Sequence, residues 1–308
     1  MTAHKFSFGP MVWWTGVVED NSSDPQKIGR CKVRIYGYHS SSTSDIPTAH
    51  LHWAIVGMPT TSAGVSGVGE SPSGIVNGST VYGFFLDGED AQAPLIIGTM
   101  MGMPGAGDPS SGFNDPDGVY PKYNAGESDV NRLARGEGSQ HEMIQTMQSN
   151  QVKGVSTAGG GTSWNQPNNP AGPVYPKNHV RESEAGHVEE WDDTPGKERL
   201  NRYHKSGTYE QIGPDGTRVH QIVKDNYELI SGNDFVQIKG NVNIMINGDS
   251  RVSIQGDAYL DVTGNMKTQV QGDYDLTVQG TLNLQVSGDY NNTAGGTNNT
   301  KASIINLN

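Results

Sequence analysis

"VSIQGDAYLDVTGNMKTQVQGDYDLTVQG", residues 252–280, sets a glycine at every eighth position: Gly256, Gly264, Gly272 and Gly280. The series extends through Gly232, Gly240 and Gly248 on one side and Gly288 and Gly296 on the other, nine in all. Two places ahead of the glycines stand Ile230, Ile238, Ile246, Ile254, Val262, Val270, Val278, Val286 and, last, Ala294. Asn or Asp follows the glycine in seven of the nine cases, with Thr281 and Thr297 as the others. Between Lys239 and Asp289 the odd positions are polar except Met245 and Tyr259, and the even ones carry the apolar set, as in Val242, Ile244 and Ile246. The period of two predicts strands with one buried face. The period of eight predicts a turn at each glycine, with Gly-Asn and Gly-Asp supplying permissive backbone angles. A meander would vary its loop lengths, so nine equal spacings mark an internal repeat.

One octad is a strand of about six residues plus a corner, too short for one chain to wrap its own core. A single ribbon of octads would leave its apolar stripe wet. Three chains wound together give triangular layers with an apolar interior and few free strand edges. The expectation is an obligate homotrimer whose octads build a prism of roughly 40–45 Å at one strand spacing per layer. A single-chain solenoid is the rival, but its coils need longer repeats to turn three corners.

Composition agrees with an extended, repetitive β protein. The chain has 308 residues, 41 of them glycine, and at 33% hydrophobic it has little material for one large core. Its net charge of −12 triples to −36 in a trimer, which argues against electrostatic binding of nucleic acid or an anionic membrane. There is no apolar run long enough to span a bilayer, and "MTAHKFSFGPMVWW" at the N-terminus does not read as a signal peptide. The single cysteine, Cys31, excludes an intrachain disulfide; alternating with Val33 and Ile35, it reads as a buried thiol.

Residues 1–105 read as a compact all-β domain with strands in "VWWTGVVED", "GRCKVRIYGYH", "HLHWAIVGMP", "STVYGFFLDG" and "APLIIGTMMG". Five short strands fit a small barrel such as an OB-fold. Residues 106–183, rich in Gly, Pro, Asn and Ser, read as a largely extended linker, with a short helix possible in "GSQHEMIQTMQSN". Residues 184–231 form a second β region, a collar leading into the octads of residues 232–308.

"WWTGVVEDNSSDPQKIGRCKVRIYGYH", "TSAGVSGVG", "GSTVYGFFLDG" and "GFNDPDGVYP" resemble the OB-fold region of the central spike proteins of T-even-like contractile-tail bacteriophages. "ESEAGHVEEWDDTPGKERLNRYHKSGTYEQIGPDG" resembles the entry to that family's triple-stranded β-helix, and the octads resemble the helix itself. Type VI secretion spikes are more distant kin. The resemblance implies an all-β fold with an N-terminal OB barrel, an extended linker and a C-terminal intertwined trimeric β-helix. It also implies a place in the tail baseplate of a virion, a hub protein docked at the OB end, and contact with the host envelope during infection. One departure stands out. The T-even spike carries a lysozyme domain between OB-fold and β-helix, where this chain has about 50 residues of Gly, Pro, Asn and Ser. A glycoside hydrolase needs two carboxylates flanking a cleft, and Glu137 and Glu142 are the only carboxylates between Asp129 and Glu182. No enzymatic activity and no cofactor are expected.

Other candidate sites are weaker. Glu189, Glu190, Asp192, Asp193 and Glu198 could form an acid/base or cation site, or be solvated or paired with Lys197 and Arg199. His50 and His52 are spaced as two metal ligands on one strand face, without an evident third. Arg30, Lys32 and Arg34 alternate with the core face of their strand as a basic outer stripe, which points to a protein contact more than to single-stranded nucleic acid. No Walker loop, dinucleotide fingerprint or nucleophile elbow is present. The reading is a mechanical spike in which Ile238, Ile246, Ile254, Val262, Val270, Val278 and Val286 carry structure and force. The alternative is a receptor-binding fibre or adhesin shaft, though no globular head follows the octads. After Gly296 the pattern lapses, and Ile304, Ile305 and Leu307 would gather at a blunt tip. Exposed apolar surface and unpaired backbone there predict a separate partner, a small conical, PAAR-like tip protein.

Overall fold

The computed structural model describes residues 11–72, 74–101 and 128–306. The motif "GFNDPDGVYP", the N-terminal ten residues, part of the linker and Leu307 lie outside them.

Five strands close the first barrel: β1 (Trp13–Asp20), β2 (Cys31–Ile35), β3 (Trp53–Val56), β4 (Thr80–Phe85) and β5 (Pro94–Thr99). Each falls within one of the five stretches read as strands. The closed order is β1-β2-β3-β5-β4, with β3 parallel to β5 and the other pairs antiparallel, which is the OB topology. Period-two alternation sends Trp14, Val18, Cys31, Val33, Ile35, Ala54, Val81, Phe85 and Ile96 into one core. Closure needs a glycine on β4: a Cβ on Gly83 would lie 1.7 Å from the Leu95 carbonyl oxygen.

After residue 128 come α1 (Glu142–Ser149), the short hairpin β6 (Val155–Ser156) and β7 (Ser163–Trp164), then a sheet. Its strands are β8 (Asn178–Glu182), β9 (Val188–Asp192), β10 (Arg199–Tyr203), β11 (Tyr209–Ile212) and β12 (Arg218–Gln221), antiparallel throughout in the order β12-β11-β10-β9-β8. The stretch read as largely extended therefore holds the suggested helix and also supplies β8, ahead of residue 184. Its apolar residues explain why. Leu133, Met143, Ile144 and Met147 form a second core with Val188, Tyr203 and Tyr209 from the sheet. The His141 side chain caps α1 by accepting from the Met143 N–H at 3.2 Å.

Beyond Gln221 the described chain forms no strand with itself. It is extended and bends at residues 231–232, 239–240, 247–248, 255–256, 263–264, 271–272, 279–280, 287–288 and 295–296, each pair ending on an octad glycine. The cadence begins one octad before the glycines, at 223–224, and a further bend falls at Ser303, eight residues after 295. Lys224 stands where a glycine would, so the pattern of glycines alone conceals this first corner.

Candidate functional site

The octad stripe is the most conspicuous surface of the described chain. Ile238, Ile246, Ile254, Val262, Val270, Val278 and Val286 are all open to solvent, none below 44% exposed. Between the bends, Val242, Ile244, Leu260, Leu276, Leu282 and Leu284 are exposed with them. Such a patch is far beyond what a solitary soluble chain displays, and the backbone beside it has no ladder partner among the described residues. The glycines carry a second message. None of Gly232, Gly240, Gly248, Gly256, Gly264, Gly272, Gly280 or Gly288 has the left-handed φ that favours glycine, and nothing lies within 4 Å of a Cβ built on any of them. Within one chain, nothing at these corners requires glycine. At the tip Ile304 and Ile305 are also exposed.

The collar carboxylates divide by strand alternation. Glu190 and Asp192 on β9 point inward with Arg199 and Asn201 on β10 and Gln211 on β11, all buried. Arg199 places one guanidinium nitrogen 2.6 Å from Glu190 and its Nε 3.8 Å from Asp192, with both partners fully enclosed. Asn178 and Asn201 each donate to Glu190 at 2.9 Å. Asp192 accepts from the Thr194 N–H at 3.0 Å. Asn169 accepts from Arg199 at 3.3 Å and from Gln211 at 3.2 Å. This network ties the sheet to the segment that covers it, and neither carboxylate reaches a cleft. Glu189 instead faces Arg202 at 3.7 Å on the exposed side, and Asp193 lies 3.8 Å from His179. Of the two suggested cationic partners, Arg199 takes the role.

The basic stripe of the barrel is not an open surface, which corrects the expectation from the sequence. Arg34 is buried against Glu19 and donates at 2.8 Å to the carbonyls of Ser40 and Ile46, while Thr48 Oγ1 donates to the same Glu19 at 2.6 Å. The pair thus clasps the loop after β2 to the barrel wall. Arg30 bonds Asp24 at 2.7 Å, holding that carboxyl well below the usual range. Lys32 donates to the Ala49 carbonyl at 2.5 Å and lies 4.9 Å from the Trp53 ring centre. Alternation placed these cations away from the core, but loops fold back to cover them. His50 lies in a 3-10 turn before β3 and not on a strand with His52. Among the described residues no group of three or more His, Cys, Asp or Glu could hold a metal ion. Cys31 is fully buried. An apolar row, Trp13, Phe84, Leu95 and Ile55, crosses the outside of the barrel in register, with Trp13 and Ile55 exposed.

The described chain thus presents an OB barrel, a sheet that buries a charged network beside an apolar core, and a long exposed apolar stripe. Residues 36–181 match the family model of the Gp5 N-terminal OB domain, and no lysozyme domain is among the family matches. The chain is 40% identical over 265 residues to Protein Gp5 of Vibrio phage KVP40, covering 75% of this chain and 62% of that relative. It is also 40% identical over 125 residues to the Pre-baseplate central spike protein Gp5 of Enterobacteria phage T4, covering 38% of this chain and 21% of that protein. It therefore spans about three fifths of the first relative and a fifth of the second. The family these relatives represent is the one the sequence resembles, the central spike proteins of T4-like phages.

Proposed function

We propose that this chain is the structural central spike of a contractile phage tail baseplate and carries no enzymatic activity of its own. Three copies wind residues 232–308 into a triple-stranded β-helix. The barrel docks to the baseplate hub, and the needle drives through the host outer membrane when the sheath contracts. The observation that carries this reading is the octad stripe: bends every eight residues, its apolar side chains exposed, and no strand partner among the described residues. Burying a Val or Ile side chain contributes about 1.5–3 kcal/mol, so identical stripes gain by pairing. The name of the Enterobacteria phage T4 relative supports the place in the baseplate. The apolar row outside the barrel supports docking at that end, and exposed Ile304 and Ile305 support a separate conical tip protein.

Native mass spectrometry and an electron-microscopy envelope of the purified chain test the reading. A three-chain mass and a thin rod on a wider base are expected. A one-chain mass at micromolar concentration overturns it.

A further inference from the structure

A cavity of about 160 Å³ lies between the end of α1, the chain that follows β7, and strands β11 and β12. Six of its ten lining residues are carboxamides, Gln148, Gln151, Gln166, Asn168, Asn169 and Gln211, and none of the ten is charged. Met147, Tyr209 and Val219 supply an apolar floor, while Gln148 and Asn168 are exposed and stand at the mouth. Part of the lining is bonded to itself. Gln151 Nε2 donates to the Gln166 carbonyl at 3.0 Å, the Pro167 carbonyl at 3.2 Å and Asn168 Oδ1 at 3.0 Å, and Gln166 donates to the Tyr209 hydroxyl. These bonds hold the frame and leave groups over. The Tyr209 proton, the side-chain carbonyls of Gln151 and Gln211, the Asn168 amino group and the whole Gln148 amide have no partner among the described residues. Burial pushes the Tyr209 phenol up, so its proton stays in place at neutral pH.

We propose that this cavity binds one neutral pyranose ring, either a free sugar or the end residue of a glycan chain. Size sets the first limit. An apolar cavity of about 150 Å³ holds benzene, so this one takes a single six-membered ring. The lining decides which ring. A carboxamide carries two donors and an acceptor, and a hydroxyl both donates and accepts, so the free amide groups match a ring bordered by hydroxyls. The apolar floor suits the C–H face of the same ring. A purely apolar ligand would leave those amides unpaired, and a charged one would be buried without a counter-ion. An extended peptide needs a groove longer than one ring. The site draws on neither the octads nor the trimer, so it stands or falls apart from the spike reading.

Saturation-transfer NMR on the full chain tests this with glucose, galactose and N-acetylglucosamine, each as the free sugar and as its methyl glycoside. At least one should receive saturation from the protein, and glucuronic acid, a pyranose bearing a carboxylate, should not. Gln148→Ala with Asn168→Ala removes two of the free amides and should weaken binding by about tenfold, with the urea midpoint of the collar unchanged. Gln148→Ala alone breaks no side-chain bond among the described residues and should still weaken it by about threefold. A methyl glycoside that binds as well as its free sugar assigns a chain end, and loss of binding on methylation assigns the free ring. No transfer to any of these sugars overturns the proposal, as does transfer that both variants leave unchanged. Equal transfer to glucuronic acid overturns the neutral ligand.

Discussion

Arg199 is shut away from water with Glu190 at 2.6 Å, Asn169 at 3.3 Å and Asp192 at 3.8 Å. Its value is best seen by removing it. Arg199→Met strands Glu190 and Asp192 beneath α1 without a cation, and breaking a buried pair in this way costs about 3–5 kcal/mol. Urea unfolding of the full chain should show that loss in the collar transition, and Glu190→Gln with Arg199→Met should recover part of it. Glu182 adds a pH dependence. The hydrogen bond from His141 at 3.0 Å, together with one from Asn131, outweighs burial and holds its carboxyl below the ordinary range. A depressed carboxyl stabilises the fold above its unfolded pKa of about 4.3 and loses that contribution as pH falls through the depressed value. Urea midpoints measured from pH 6 downward should therefore fall in the acid range, and Glu182→Gln should flatten the fall.

Among the elements, the octads respond to substitution by face. Ile254→Asp sets three charges in one layer of the proposed prism at several kcal/mol each, so the native mass should drop to one chain, whereas Ser253→Asp on the opposite face should assemble. Gly264→Ala probes the corners. With open space around it in the single chain, alanine should leave the barrel and collar transitions unchanged and lower only the trimer's thermal midpoint if a neighbouring copy approaches there. Gly83→Ala behaves differently: the Leu95 carbonyl blocks the new Cβ, and overpacking of about 1–3 kcal/mol should weaken the barrel transition. These elements also differ in how openly the sequence declares them. Barrel strands such as "GRCKVRIYGYH" alternate apolar core residues with polar ones, and the octads state their own period, so both could be read directly. In the collar, alternation exists but the covered face is mixed, with Asp192 inside beside Val188 while Trp191 stands outside. Polarity alone cannot tell which face is covered when the covering segment is distant in sequence. The barrel cations were misread for a related reason, since the fold-back of the Ser40–Thr48 loop over Arg34 leaves no local trace.

For the whole molecule, stability and attachment separate along the chain. Deleting residues 300–308 removes Ile304 and Ile305 but leaves the octads up to Gly296, so the native mass should stay at three chains while a co-purifying tip protein is lost. Purified spike should release no reducing sugar from peptidoglycan, and release abolished by Glu189→Gln would contradict the mechanical reading. The bends at fixed intervals have a further consequence, because they behave like a reading frame. Inserting eight residues of octad sequence after Gly264 keeps every downstream side chain in phase and lengthens the needle by one layer, about 4.8 Å. Inserting one residue turns every later apolar side chain outward, as any single-residue slip does in a period-two strand. Length in the proposed needle is therefore quantised, open to change in whole octads and closed to anything between.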